Sequence, residues 1–339
     1  MTEKLLEVRN LSKIFAPRFR INPLKKDSSV RAVDNVSFDI DRGETLALVG
    51  ESGCGKSTTG RLVLRLLDAS EGQVTFDGQN VNALSSSELR KLRSQMQIVF
   101  QDPFGSLSPR RTVEQIIAEP MAAFGITRRA EQRERITTLL QQVGLSPDDM
   151  RKYPRQFSGG QRQRIGIARA IALGPSFVVA DEPVSALDVS VQAQIVNLMQ
   201  DIQKQHRMAY LFISHDLAIV RHIADRVAVM YLGRIIEIGP KATVFSAPQH
   251  PYTQALLSAA PAIDPKKRAR RIVLTGDVPS PSAIPSGCSF RTRCPLAQPI
   301  CAQEQPPLKT VAAGQLTACH FAEPHPIKIQ SSPTPLTTA

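Results

Sequence analysis

Residues 50–57 read GESGCGKS, between the apolar run TLALV (45–49) and the helical pattern TGRLVLRLL (59–67). Gly-x4-Gly-Lys-Ser, entered from a strand and left through a helix, is the arrangement of a phosphate-binding loop. Gly50, Gly53 and Gly55 free backbone N–H groups to curl around phosphate oxygens. Lys56 brings a positive charge to the β- and γ-phosphates, and Ser57 brings a hydroxyl for Mg²⁺. The following helix aims its positive end at the same anion. Gly50, Glu51, Ser52, Gly53, Cys54, Gly55, Lys56, Ser57 and Thr58 are therefore the candidate nucleotide-binding residues. Cys54 reads as a small residue in a tight loop, needing no role of its own.

The second half of the chemistry lies in FVVADEP (177–183), an apolar strand ending in two acids. Asp181 is placed to hold Mg²⁺ through its water shell. Glu182 is placed to orient, or take a proton from, a water attacking the γ-phosphate. Further strand signals occur at LLEVRNLSKIF (5–15), RAVDNVSFDI (31–40), MQIVF (96–100) and YLFIS (210–214). GQVTFDGQNV (72–81) alternates like a hairpin about Asp-Gly. Helical patterns occupy 112–145 and QRQRIGIARAIAL (161–173). Strands alternating with helices and ending in polar residues predict an α/β fold with a mainly parallel sheet.

The chain has 339 residues, 42% hydrophobic and 21% charged, enough for one large domain and a smaller unit. No apolar stretch approaches the roughly 18 residues that span a bilayer. MTEKLLEVRNLSKIF carries acid early and lacks a cleavable apolar run, so it is not read as a signal peptide. The expectation is a cytoplasmic chain, or one lying on a membrane without entering it. A net charge of +12 invites a nucleic-acid partner. Most of the excess is scattered, however, and the one dense run, KKRARR (266–271), sits in a Pro-rich stretch and reads as a solvated linker. Attraction to an anionic membrane surface explains the charge equally well.

With these residues in place, 5–260 resembles the ATP-binding subunits of ABC transporters. FSGGQRQR (157–164) is similar to the family signature. There, the resemblance implies, Ser158, Gly159, Gly160 and Gln161 contact the γ-phosphate bound to the opposite subunit. A Gly-rich turn opening a helix is a second anion-binding N-terminus, which makes ATP the glue of a dimer. Gln101 in VFQDP matches the glutamine that reaches Mg²⁺ and the attacking water near the membrane partner. Ser185, Ala186, Leu187 and Asp188 match the loop crossing the dimer interface. His215 in FISHD matches the histidine that holds the γ-phosphate. Phe15 sits where the family stacks a ring on adenine, although alone it reads equally as core. The implied fold is a P-loop NTPase with a parallel-sheet core, an antiparallel β subdomain and a helical subdomain.

Beyond HPYTQALLSAAP (250–261) the composition shifts, with 13 of the 25 prolines at or beyond Pro261. The expected division is a nucleotide-binding domain over 1–260, a small cysteine-containing domain over 261–327, and a disordered tail over 328–339. HPYTQALLSAAP and IPSGCSFRTRCPLAQPIC (284–301) resemble the dipeptide and oligopeptide permease ATPases. Nickel, opine and glutathione importers share this architecture. The resemblance implies a second ATPase subunit (identical or related), two membrane permease subunits and an extracytoplasmic binding protein. It places the chain on the cytoplasmic face of the inner membrane, with no nucleic-acid partner. Soluble ABC-type ATPases acting on DNA or ribosomes carry long insertions or two cassettes, which this chain lacks.

Cys288, Cys294, Cys301 and Cys319 follow the spacing C-x5-C-x6-C-x17-C. A reducing cytoplasm disfavours disulfides. Four thiolates in a small Pro-rich unit suggest a metal staple. The resemblance implies a 4Fe-4S cluster, with Zn²⁺ and an empty site as the alternatives.

Overall fold

The computed structural model describes residues 3–16, 29–102, 105–259 and 272–322. The run KKRARR, the expected boundary after residue 260 and the tail over 328–339 lie outside the described residues, as does most of the basic loop between the first two strands.

Two sheets carry the fold. The smaller is antiparallel, in the order β2-β1-β4-β5, with β1 at Lys4–Phe15, β2 at Val30–Asp41, β4 at Glu71–Phe76 and β5 at Gln79–Asn80. Asp77 and Gly78 both take positive φ between β4 and β5, the geometry that a tight Asp-Gly hairpin demands. The larger sheet has β3 (Thr45–Val49) near its centre. On one side of it lie β8 (Ala209–Ser214), β7 (Phe177–Asp181) and β6 (Met96–Val99). β9 (Arg226–Tyr231) and β10 (Arg234–Pro240) lie on the other. The β6-β7-β8-β3-β9 pairings are all parallel. Every residue of β3, β7 and β8 is buried, as expected of parallel strands covered on both faces.

Three apolar clusters follow from this layering. One joins the sheet to the helices Val113–Ala123, Arg129–Gln142, Gly159–Ile171 and Val189–His206, the helical subdomain and its support. A second joins the other sheet face to the antiparallel subdomain. The third collects Val49, Val229, Tyr231, Tyr252 and Phe290 behind the phosphate loop.

The cysteine-bearing region docks on the large sheet. β12 (Gln315–Thr317) pairs antiparallel with β10, and β11 (Lys309–Ala312) pairs with β12, extending the sheet to eight strands. Phe290 is fully buried, with its ring centroid 5.3 Å from Tyr231 and 5.5 Å from Tyr252. The region thus borrows a strand partner and a core from the rest of the chain, as a segment too poor in apolar residues to build its own must do.

Candidate active site

The phosphate loop joins β3 to the helix Lys56–Val63. Its glycines are dictated by space. A Cβ on Gly55, where φ is +108°, would sit 2.2 Å from the Ala32 carbonyl oxygen, and one on Gly50 would sit 2.2 Å from that of Met230. Cys54 is buried and contributes to the second core cluster. Lys56 is also buried, and its Nζ donates to the Gly50 and Glu51 carbonyl oxygens at 2.8 and 2.9 Å. The ammonium is thereby held inside the curl of the loop.

Asp181 and Ser57, on neighbouring elements but 124 residues apart, meet directly: Ser57 Oγ donates to Asp181 Oδ1 at 2.7 Å. Burial pushes the Asp181 carboxyl up, while the Ser57 bond and the charge of Arg61 pull it down. A hydroxyl and a carboxylate converging from a loop and a strand end are the oxygen donors that Mg²⁺ prefers, so these residues fit that ion. Glu182 is next in the chain and turns into the left-handed region at φ 46°, a conformation that costs a non-glycine residue about 1–2 kcal/mol. That turn takes its side chain off the strand direction. Gln101 Nε2 donates to Glu182 Oε2 at 3.0 Å, and His215 Nδ1 lies 3.4 Å from Glu182 Oε1. Gln101 follows β6 and His215 follows β8, so three strand ends deliver the three side chains to one point.

The remaining expected residues do not all gather there. Ser158 caps the helix Gly159–Ile171, its side chain accepting from the Gln161 N–H, while Gln161 Oε1 accepts from the Ser158 N–H. These two therefore bond to each other rather than to Lys56, Ser57, Asp181 or Glu182. Gly160 is packed so closely that a Cβ would lie 2.4 Å from Val191 Cγ1. Ser185 Oγ donates to the Glu182 carbonyl, which ties the loop Ser185–Asp188 to the acid. Beyond it, Val189 is 81% exposed, an apolar side chain left open at the head of the helix Val189–His206. Phe15 ends β1 and is exposed rather than part of the core. Thr58 is half-buried in the first turn after Lys56.

The cysteines are drawn together without closing on a point. The Cys288 N–H donates to the Cys301 carbonyl at 2.8 Å. Burial pushes the Cys288 and Cys319 thiols up and takes Cys294 to about 12, and negative charge on neighbouring cysteines raises each further. Among the described residues no three His, Cys, Asp or Glu side chains stand ready to hold a metal ion. The donor chemistry fits a four-thiolate centre, whereas the arrangement as it stands does not yet surround one.

Sequence reasoning missed the residues that fasten this region to the loop. The Tyr252 hydroxyl accepts from the Glu51 N–H at 2.9 Å, and Arg293 pairs with the Glu51 carboxylate at 3.1 Å. It also missed Glu237 on β10, fully buried, which accepts from the Gln249 and His250 N–H groups and from Gln315 Nε2. The triplet His-Pro-Tyr was visible in the sequence, but nothing in its spacing says which loop its hydroxyl reaches.

Comparison with known proteins identifies the family. Residues 33–185 match the ABC transporter family, and residues 236–301 match the C-terminal region of oligopeptide/dipeptide transporters. Among solved structures, a dimeric post-hydrolysis state of the ATP-binding cassette MJ0796 bound to ADP and phosphate superposes with a TM-score of 0.61 at 27% identity. The match covers 70% of this chain and 99% of that one. The protein belongs to the ABC transporter ATP-binding subunits. Within them it falls in the branch with the oligopeptide/dipeptide transporter C-terminal region. A putative peptide import ATP-binding protein of Brucella ovis is 54% identical, covering 94% of this chain and 98% of its own length. The oligopeptide transport ATP-binding protein AppF of Bacillus subtilis is 51% identical over the same shares. No helix among the described residues is long and apolar enough to cross a membrane.

Proposed function

We propose that this chain hydrolyses ATP to drive a membrane importer of dipeptides or oligopeptides, with Glu182 as the residue that readies the attacking water. The single observation that carries the assignment is the meeting of Gln101, Glu182 and His215 beside the Ser57–Asp181 pair. Ser57, Asp181 and Gln101 would hold Mg²⁺, which supplies charge neutralisation across the phosphates. Lys56 and the loop N–H groups bind the β- and γ-phosphates. Glu182 takes a proton from water as its oxygen bonds to the γ-phosphorus, and the bond to the β–γ bridging oxygen breaks with its electron pair leaving on ADP. Gln101 fixes the Glu182 carboxylate, and His215, exposed beside it, is free to reach the γ-phosphate. Phe15 offers an open ring to the adenine.

Ser158, Gly159, Gly160 and Gln161 would complete the site of a second ATPase subunit, since the Ser158 end of their helix is exposed and engages nothing at this chain's own acid pair. The Ser185–Asp188 loop and exposed Val189 would lie along that interface. Two membrane permease subunits would dock near Gln101, holding the chain on the cytoplasmic face, with an external binding protein choosing the solute. The names of the close relatives support peptides as that solute.

Glu182→Gln tests the centre: it should bind ATP and lose roughly 10²–10⁴-fold in turnover, the worth of a positioned base. Native turnover in that variant would remove Glu182 from the role. Ser158→Arg should abolish hydrolysis by spoiling the partner's site, and unimpaired hydrolysis would argue against a composite dimer. Cys288, Cys294, Cys301 and Cys319 are read as ligands of a 4Fe-4S cluster or Zn²⁺ that staples the C-terminal region. The four-cysteine donor set supports this, although among the described residues no three of these side chains stand ready to hold an ion. Anaerobic purification followed by iron, sulfide and zinc determination decides the occupant; protein lacking all three would end the reading.

A further inference from the structure

We infer that Arg293 and Tyr252 are positioning residues for the phosphate loop, acting through Glu51, so that the C-terminal region tunes how tightly ATP is held. The inference rests on residues 50–57 being the phosphate loop. Glu51 occupies a variable position of that loop, yet three of its groups are engaged. Its carbonyl oxygen accepts from Lys56 Nζ at 2.9 Å, its N–H donates to the Tyr252 hydroxyl at 2.9 Å, and its carboxylate meets Arg293 Nη1 at 3.1 and 3.3 Å. The peptide that holds the lysine is thus itself held from behind by two side chains from the C-terminal part of the chain. Tyr252 and Arg293 both lie within 236–301, the portion matching the oligopeptide/dipeptide transporter C-terminal region.

Both side chains are well placed to act as fixed supports. Tyr252 is fully buried, and its ring packs on Tyr231 at 4.7 Å and on Phe290 at 5.5 Å. The Arg293 side chain is 9% exposed, its N–H donates to the Phe290 carbonyl at 3.0 Å, and Cys294 follows it directly. A cavity of about 210 Å³ lies alongside, lined by Glu51 to Cys54, Tyr231, Leu232 and Val278 to Pro281. The loop's outer wall is therefore built by the C-terminal region as well as by the sheet.

The charge of Glu51 gives Arg293 its functional meaning. A carboxylate one residue from the loop's first glycine would repel a triphosphate, and at low dielectric such repulsion is substantial. Arg293 neutralises that carboxylate and holds it where it stands. Removing the guanidinium should release an uncompensated negative charge beside the phosphates, so affinity for ATP falls. Removing the carboxylate as well should restore it. A purely structural contact would not produce that rescue.

The test measures ATP binding by calorimetry on the full chain in a Glu182→Gln background, with thermal unfolding of every variant. Arg293→Ala should raise the ATP Kd by about tenfold, within the range of close charge coupling, with a smaller effect in high salt. Arg293→Lys should retain most of the affinity, and Arg293→Ala combined with Glu51→Gln should return close to it. Native affinity in Arg293→Ala, or a double variant as weak as Arg293→Ala, would overturn the inference. Lys56→Ala separates the underlying assignment. If ATP still binds it unchanged, 50–57 is not the phosphate loop and both readings fall. If it abolishes binding while Arg293→Ala is silent, only the positioning role falls.

Discussion

Around Lys56 the chain is shaped by its own backbone, whereas around Cys288 to Cys319 it is shaped by what it leans on. In the phosphate loop, Gly50 and Gly55 pass within van der Waals contact of the Met230 and Ala32 carbonyls, and Lys56 bonds to loop carbonyl oxygens. Few side chains are needed. In the C-terminal region, order comes from Phe290 entering a core that belongs to the large sheet, from β12 pairing with β10, and from Glu237 gathering donors on Gln249, His250 and Gln315. A short motif suffices for the first kind of structure. The second needs a distant surface to exist first.

Deleting the Phe290 ring should break this contrast most visibly. Phe290→Ala empties a fully buried aromatic site and should cost about 3–5 kcal/mol, read as a lowered thermal transition and faster proteolysis within 272–322. Unchanged proteolysis would mean that the region is held by something other than the shared core. Gly55→Ala attacks the other kind of order. With φ at +108° and a backbone oxygen 2.2 Å from the new Cβ, it should weaken ATP binding on the order of a hundredfold. The C-terminal region should remain docked, as limited proteolysis would report.

A smaller effect comes from His250, which lies two residues before Tyr252 and packs against Phe290. It is buried and its pKa is lowered to about 3 by burial; the Tyr252 N–H donates to its Nδ1 at 3.1 Å, which requires that nitrogen unprotonated. Because the folded value lies below the ordinary value near 6.5, the unfolded chain binds a proton that the folded chain refuses. Stability should therefore be intact above pH 6.5 and decline below it, by up to about 1.4 kcal/mol per pH unit down to about pH 3. His250→Gln should flatten that slope in denaturant titrations across this window, and an unaltered slope would assign it elsewhere. The smallest effect concerns the cysteines. With Cys294 pushed up to about 12 by burial, metal-free chain should be alkylated at pH 8 far more slowly than a free cysteine, and urea should remove the protection.

Strands β1 to β4 and β6 to β8, the hairpin at Asp77-Gly78 and the helix after Ser158 were legible because each is local, whereas β9 to β12 were not among the strands expected. Strand and helix periods, a turn dipeptide and a Gly-rich turn opening a helix all lie within a dozen residues. Asp181 and Glu182 were legible for a related reason: strands in a parallel sheet end on one edge, so acids at the end of an apolar run arrive beside a loop that ends another run. The exposure of Phe15, by contrast, depends on where β1 stops against its neighbours. The grip on Glu51 was hidden altogether. Arg293 is 242 residues away, and one arginine among scattered basic residues carries no local mark of its partner.

By itself, then, the sequence pointed to the chemistry of this protein. Closely spaced glycines, a lysine, a hydroxyl and two acids at the end of one strand read as a nucleotide site from their spacing, because backbone geometry over a few residues leaves few other uses for them. Only the tertiary structure decided what that loop leans on. Which carboxylate is neutralised, which hydroxyl holds the loop, and whose core the cysteine region shares are settled by packing between segments hundreds of residues apart, where no period or motif records the contact.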